Sequence, residues 1–150
     1  MQLTDEFEVS ATPNTVWNLV WDLKRVALCL PGCEEVEAGE DGNYRARMLQ
    51  KIGPFTVNMD VDLKVEEIVE GARVILSGSG KDKVGNRLKL TRLSMELGSN
   101  GPNTKVAYAI DFTLFGRLAS LGSSVVKRKA EDMRVEFTKR LIAELDQLPN

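Results

Sequence analysis

SSVVKRKAEDMRVEFTKRLIAELDQL, residues 123–148, decides the fold. Val126, Ala130, Met133, Phe137, Leu141, Leu145 and Leu148 recur at spacings of three and four. At roughly 100° per residue this is one apolar stripe of an α-helix. Lys127, Glu131, Arg134, Thr138 and Asp146 are expected on the opposite, wet face. The stretch would make a rod of roughly 39 Å, stopped by Pro149. A rod wet on one side needs a broad apolar partner, and the chain upstream reads as strands. The partner should be a sheet.

Just before the rod, Leu118, Leu121 and Val125 project from a direction turned away from the main stripe. Between them lie Ala119, Ser120, Gly122, Ser123 and Ser124, all small. Two readings stand. Small side chains let a helix start pack closely, or they leave room for the mouth of a cavity.

Working back to the N-terminus, residues 1–10 alternate as a strand, with Leu3, Phe7 and Val9 inward and Asp5 interrupting that face. Thr12 is placed to cap a helix that has Pro13 at its first position. Val16, Trp17, Val20 and Trp21 follow at helical spacing, and a second short helix runs from Asp22 to about Leu28, before Pro31-Gly32. The two tryptophans read as core for these helices or as the cap of a cavity end.

Strands are expected at 33–38, 44–52, 55–69, 72–77, 84–97 and 105–114. Tyr44, Ala46, Met48 and Ile52 point inward on the second of these. On the third, Phe55, Val57, Met59, Val61, Leu63, Val65 and Val69 point inward, with Glu67 the exception. Thr56, Asn58, Asp60, Asp62, Lys64 and Glu66 face the other way, as in an antiparallel sheet with one wet side. At about 3.3 Å per residue, fifteen residues outreach the helix, so this strand must curve. Leu88 and Leu90 give way to Leu93, Met95 and Leu97, a change of parity that predicts a β-bulge near Thr91-Arg92. Val106, Tyr108, Ile110, Phe112 and Leu114 point inward on the last strand.

The order β-αα-β6-α is an α+β pattern, a curved seven-stranded antiparallel sheet closing on one long helix. Its length suits one domain, residues 1–150. A single rod rarely fills such a sheet, so part of the inner face should line a cavity.

The chain contains no histidine, which removes Ser-His and Cys-His nucleophile pairs and imidazole-bound metal sites. Cys29 and Cys33 cannot make a structural zinc site alone and are expected as reduced, buried thiols. Asp5, Gln50, Glu67 and Asp111 form no recognisable acid–base pair. The net charge of −2 is mild. No leader peptide is expected, because residues 1–10 are acidic and alternating. No apolar run approaches the ~20 residues of a membrane span. The expectation is a soluble, cytoplasmic protein that is not an enzyme.

Met48, Met59, Met95 and Met133 occupy inward positions, either as plain core or as walls for a flexible apolar molecule. Tyr44 and Tyr108 bring phenols inward, to meet a backbone carbonyl, a water or a ligand carbonyl. The expected ligand-binding set is Met48, Met59, Val61, Leu88, Met95, Tyr108, Phe112, Leu118, Leu121, Val125, Met133 and Phe137. Lys81, Lys83, Arg87, Lys89 and Arg92 stand against Asp82 alone. They read as a solvated strand face or as a docking patch for anionic lipid or an acidic partner. No aromatic residues interleave with them, so a nucleic-acid partner is not expected.

Leu30-Pro31-Gly32-Cys33-Glu34, Lys51-Ile52-Gly53-Pro54-Phe55, Thr104 followed by Tyr108, and Gly116-Arg117-Leu118-Ala119-Ser120-Leu121-Gly122 resemble the CoxG family, the G-subunit family of carbon monoxide dehydrogenase. The element order is similar to the helix-grip fold of lipid-transfer (START) domains, the birch pollen allergen family and polyketide cyclases. The resemblance implies an accessory protein of a molybdenum-containing oxidoreductase, with peripheral contact to the inner face of the cell membrane. It implies no tightly bound cofactor. A respiratory, menaquinone-like quinone or a lipid would be the apolar ligand. A ligand-free recruitment or assembly factor is the alternative, and a cyclase-type enzyme a further one.

Overall fold

A computed structural model describes residues 1–147, apart from the side chain of Asp41. The expected last stripe residue, Leu148, and the stop at Pro149 lie outside the described residues. The strands are β1 (Gln2–Val9), β2 (Cys33–Ala38), β3 (Tyr44–Ile52), β4 (Phe55–Val69), β5 (Arg73–Lys81), β6 (Arg87–Asn100) and β7 (Asn103–Phe115). The α-helices are α1 (Pro13–Trp21), α2 (Leu23–Ala27) and α3 (Ser123–Asp146), with a 3-10 segment at Gly116–Leu121 before α3. The strands form one antiparallel sheet in the order β1-β7-β6-β5-β4-β3-β2. Helices α1 and α2 carry the chain from one edge of it to the other. Thr12 caps α1 by accepting from the Thr15 N–H, and Pro13 opens the helix, as its sequence predicts.

The strands are longer than their patterns indicate. Strand β5 runs on through Gly78-Ser79-Gly80, where glycine suggests an end, and β6 and β7 continue to a tight turn at Gly101-Pro102. Val84, expected to open β6, is 68% exposed in the turn before it. The bulge expected near Thr91 is present between Leu90 and Arg92. A second bulge in β4, between Val65 and Glu67, escapes the sequence pattern. It explains the apparent exception at Glu67 and corrects Val69. Beyond the bulge Ile68 pairs with buried Val74 on the inner face, while Glu67 and Val69 turn outward.

Helix α3 buries Val126, Ala130, Phe137, Leu141 and Leu145. Two side chains expected on its wet face are not there. Arg134 and Thr138 face β1 and are half-buried, because Asp5 on the inner face of β1 receives both. Trp17 is buried, but Trp21 is 52% exposed and stacks on Trp17 from outside, with ring centroids 6.3 Å apart. Trp21 is therefore not core.

Two apolar clusters result. One joins Val16, Trp17 and Val20 of α1 to Val106 of β7 and to Phe137, Leu141 and Leu145 of α3. The other joins Val57, Met59 and Val61 to Leu118, with Leu121 packed against it. The first half of α3 spans the ground between them.

Candidate functional site

The pairing registers lay out the inner face of the sheet in rows. One row runs Phe112, Leu90, Gly78, Leu63, Tyr44, and the next Leu114, Leu88, Gly80, Val61, Ala46. Two glycines thus occupy successive inner positions in the middle of the sheet. A Cβ at Gly78 would lie 2.7 Å from the Asp62 carbonyl oxygen, and one at Gly80 2.7 Å from Met59 Sδ. Bare backbone here lets neighbouring side chains lean inward while α3 stays clear of the floor.

The space left open is a cavity of about 250 Å³. A water molecule requires roughly 10–15 Å³ of such space, so this is a chamber for something larger. Of the residues expected to bind ligand, Met48, Met59, Val61, Leu88, Met95, Tyr108 and Phe112 contribute to the floor. Leu118 of the 3-10 segment, with Met133 and Phe137 of α3, contributes to the end and roof. Leu121 and Val125 do not line the cavity. Leu121 is drawn against the Gly53 turn, and Val125 is 40% exposed on the flank of α3.

Sequence reasoning missed the wall supplied by α2 and the following turn. Leu23, Val26, Ala27 and Leu30 all face the cavity. Their spacing of three, four and seven is an amphipathic signal that could have found them. Arg25 fastens α2 to the far end of α3 through an ion pair with Glu144. Cys33 lines the cavity and Cys29 is buried, both as free thiols, and burial pushes both above the usual thiol range.

Polar side chains at the wall are few. Gln50 donates to the Pro31 carbonyl and holds the Pro31-Gly32 turn on β3. Gly32 is required there, because its φ is +86° and a Cβ would collide with the Leu49 carbonyl oxygen. Tyr108 stacks edge-on against Phe137, with centroids 5.2 Å apart, and its hydroxyl lies 2.7 Å from Thr138 Oγ1. Thr138 donates to the Asp5 carboxylate at 2.6 Å, so the phenol must be the donor to Thr138. Arg134 completes the group, donating to Asp5 and Glu131 at 3.0 Å each. Burial works to raise the Asp5 carboxyl, but the Thr138 bond, the Glu6 N–H and Arg134 outweigh it and hold Asp5 below the usual range. Burial pushes the Tyr108 phenol up, against the Thr138 bond. The phenol proton is therefore committed to the protein, not offered to the cavity.

At the end of the sheet, Asn86 is buried and joins two turns. Its amide donates to Asp82 at 2.7 Å, and its Oδ1 accepts the Leu118 N–H at 3.1 Å. Burial tends to raise Asp82, but hydrogen bonds from Asn86 and from the N–H groups of Val84 and Gly85 keep it below the usual range. The basic run following Asp82 is exposed at Lys83, Arg87, Lys89 and Arg92. Phe115, 47% exposed, lies directly across from Arg87. No helix among the described residues is long and apolar enough to cross a membrane.

Residues 6–145 match the family described as the G subunit of carbon monoxide dehydrogenase (CoxG). Comparison with curated proteins gave no match. Among solved structures, the chain is similar to a conserved protein from Geobacillus kaustophilus, with 21% identity over 98% of this chain and 96% of that one, at a TM-score of 0.84. A START superfamily protein from Mycobacterium smegmatis superposes with a TM-score of 0.70, 16% identity and 97% coverage of both chains. The Zhui aromatase/cyclase from Streptomyces sp. R1128 does so at 0.67, with 14% identity over 98% of this chain and 94% of that one. At these identities the likeness establishes a shared helix-grip fold.

Proposed function

Because this chain belongs to the CoxG family of carbon monoxide dehydrogenase, we propose that it is a non-catalytic accessory protein that carries an apolar molecule for a molybdenum-containing oxidoreductase. The supporting observation is the cavity of about 250 Å³ walled by methionine, leucine and valine. Methionine fits it for a flexible occupant, since thioethers adapt to irregular shapes. A quinone with an isoprenoid tail, or another lipid, would gain about 25 cal/mol per Å² of apolar area buried there. Delivery of such a molecule places the protein at the membrane at least transiently. The exposed cations beside Val84 and Phe115 supply a surface for that contact, with two apolar tips and several charges for anionic headgroups.

Native mass spectrometry of the purified chain, with organic extraction of whatever it carries, tests this reading. An apolar molecule should be found, and Met133→Trp should exclude it while leaving the protein folded. Met133 projects from α3 into the cavity, so the larger ring takes ligand space, not core space. A chain that neither carries nor takes up a quinone or lipid would leave the recruitment-factor alternative.

A further inference from the structure

Two cations reach the wall of the cavity, and they differ in one respect. Arg134 is engaged by Asp5 and Glu131. Lys129, half-buried, has no hydrogen bond or ion pair among the described residues. It also belongs to the wall of a second space, a polar cleft of about 260 Å³ between the flank of α3 and the β3–β4 turn. That cleft is bounded by Ser124, Arg128, Lys129 and Asp132 of α3 and by Ile52 and Gly53 opposite. Ile52 and Lys129 line both spaces, so the apolar chamber and the polar cleft meet across these two side chains.

The cleft favours negative charge. Arg128 and Lys129 face one carboxylate, Asp132, which leaves an excess of one positive charge, and none of the three forms an ion pair among the described residues. Helix α3 adds to this. Its N-cap is Gly122, which offers no capping side chain, and its first turn has no acidic residue. The free N–H groups and dipole of that turn therefore point positive potential toward the same end.

From an apolar chamber that opens past an unpaired lysine into a cationic cleft, we infer that the ligand is an amphiphile with an anionic head, a long-chain carboxylate in chemical class. Its hydrocarbon tail lies in the chamber and its carboxylate meets Lys129 at the mouth, with Arg128 and the first turn of α3 behind. This rests on the carrier reading above and specifies what the carrier holds. Desolvated tail and solvated head are separated as an amphiphile requires, and burying the tail brings the head to the one wall cation that the described residues leave unneutralised.

Equilibrium dialysis of the delipidated protein against radiolabelled palmitate and hexadecanol, at neutral pH, separates the possibilities. The two probes share a tail and differ in head charge. Palmitate should bind about tenfold more tightly, the gain expected of one hydrogen bond to a charged group. Lys129→Gln should reduce palmitate to the level of hexadecanol without changing hexadecanol binding, and Lys129→Glu should favour the alcohol. Equal affinity of both probes for the native protein would overturn the headgroup assignment and leave the carrier standing, as would equal weakening of both by Lys129→Gln. Binding of neither probe would overturn both.

Discussion

Phe137 packs edge-on against Tyr108 and is 5% exposed, yet one side of its ring faces the cavity. Truncating a buried phenylalanine costs about 3–5 kcal/mol, the larger values arising where a new void cannot collapse. Here part of the void already exists, so Phe137→Ala should lose about 3 kcal/mol in urea unfolding. A loss below about 1 kcal/mol would show that the ring is not part of the core cluster. Beside it, Asp5 illustrates how a single residue misleads when taken alone. A carboxylate at an inner position of a strand reads as a break in the pattern. In the fold it accepts from Arg134 and Thr138, and the helix turns polar side chains inward to meet it.

At the scale of elements, the cavity end is fastened by side-chain-to-backbone bonds between turns. The β5–β6 turn and the 3-10 segment before α3 are far apart in sequence and are joined through Asn86, 3% exposed. Asn86→Ala would strand the Leu118 N–H without its acceptor in a buried setting. Such an orphan costs about 1–3 kcal/mol, and a thermal unfolding midpoint that falls accordingly is the expected result. An unchanged midpoint would mean that water or a shifted backbone replaces the amide. Two features of the strands shape the same region. The β4 and β6 bulges change which side chains face inward, and Gly78 and Gly80 hollow the middle of β5.

Taken whole, the molecule keeps solid packing under the second half of α3 and an open chamber under the first. The exposed cations on β6 lie outside that chamber, so their role can be tested without disturbing it. Replacing Lys83, Arg87 and Lys89 with glutamate should weaken sedimentation of the protein with anionic vesicles. The effect should shrink in high salt, since exposed charges are screened beyond about 8 Å at physiological ionic strength. Unchanged binding at low salt would return these residues to a solvated face of the sheet.

Local periodicity was enough to dictate the element order, the long helix and its stripe, the antiparallel sheet with one wet side, and the bulge near Thr91. A chain must satisfy such periodicity wherever it packs, so it is legible without the fold. Met59, Val61, Met95 and Phe112 fall on the cavity wall for the same reason, because inward parity on a half-filled sheet leaves few other places. Where two elements meet is a different matter, settled by packing between distant segments. The β4 bulge is hidden because Ile68 and Val69 are both apolar, so parity alone cannot locate the inserted residue. Val125 and Leu121 lie beside the cavity and not in it, because the 3-10 segment sets the angle at which α3 enters. The contrast between Arg134 and Lys129 is of the same kind. Five positions apart on one helix, they have equal charge and similar reach, and only the placement of β1 gives one a carboxylate partner and leaves the other free.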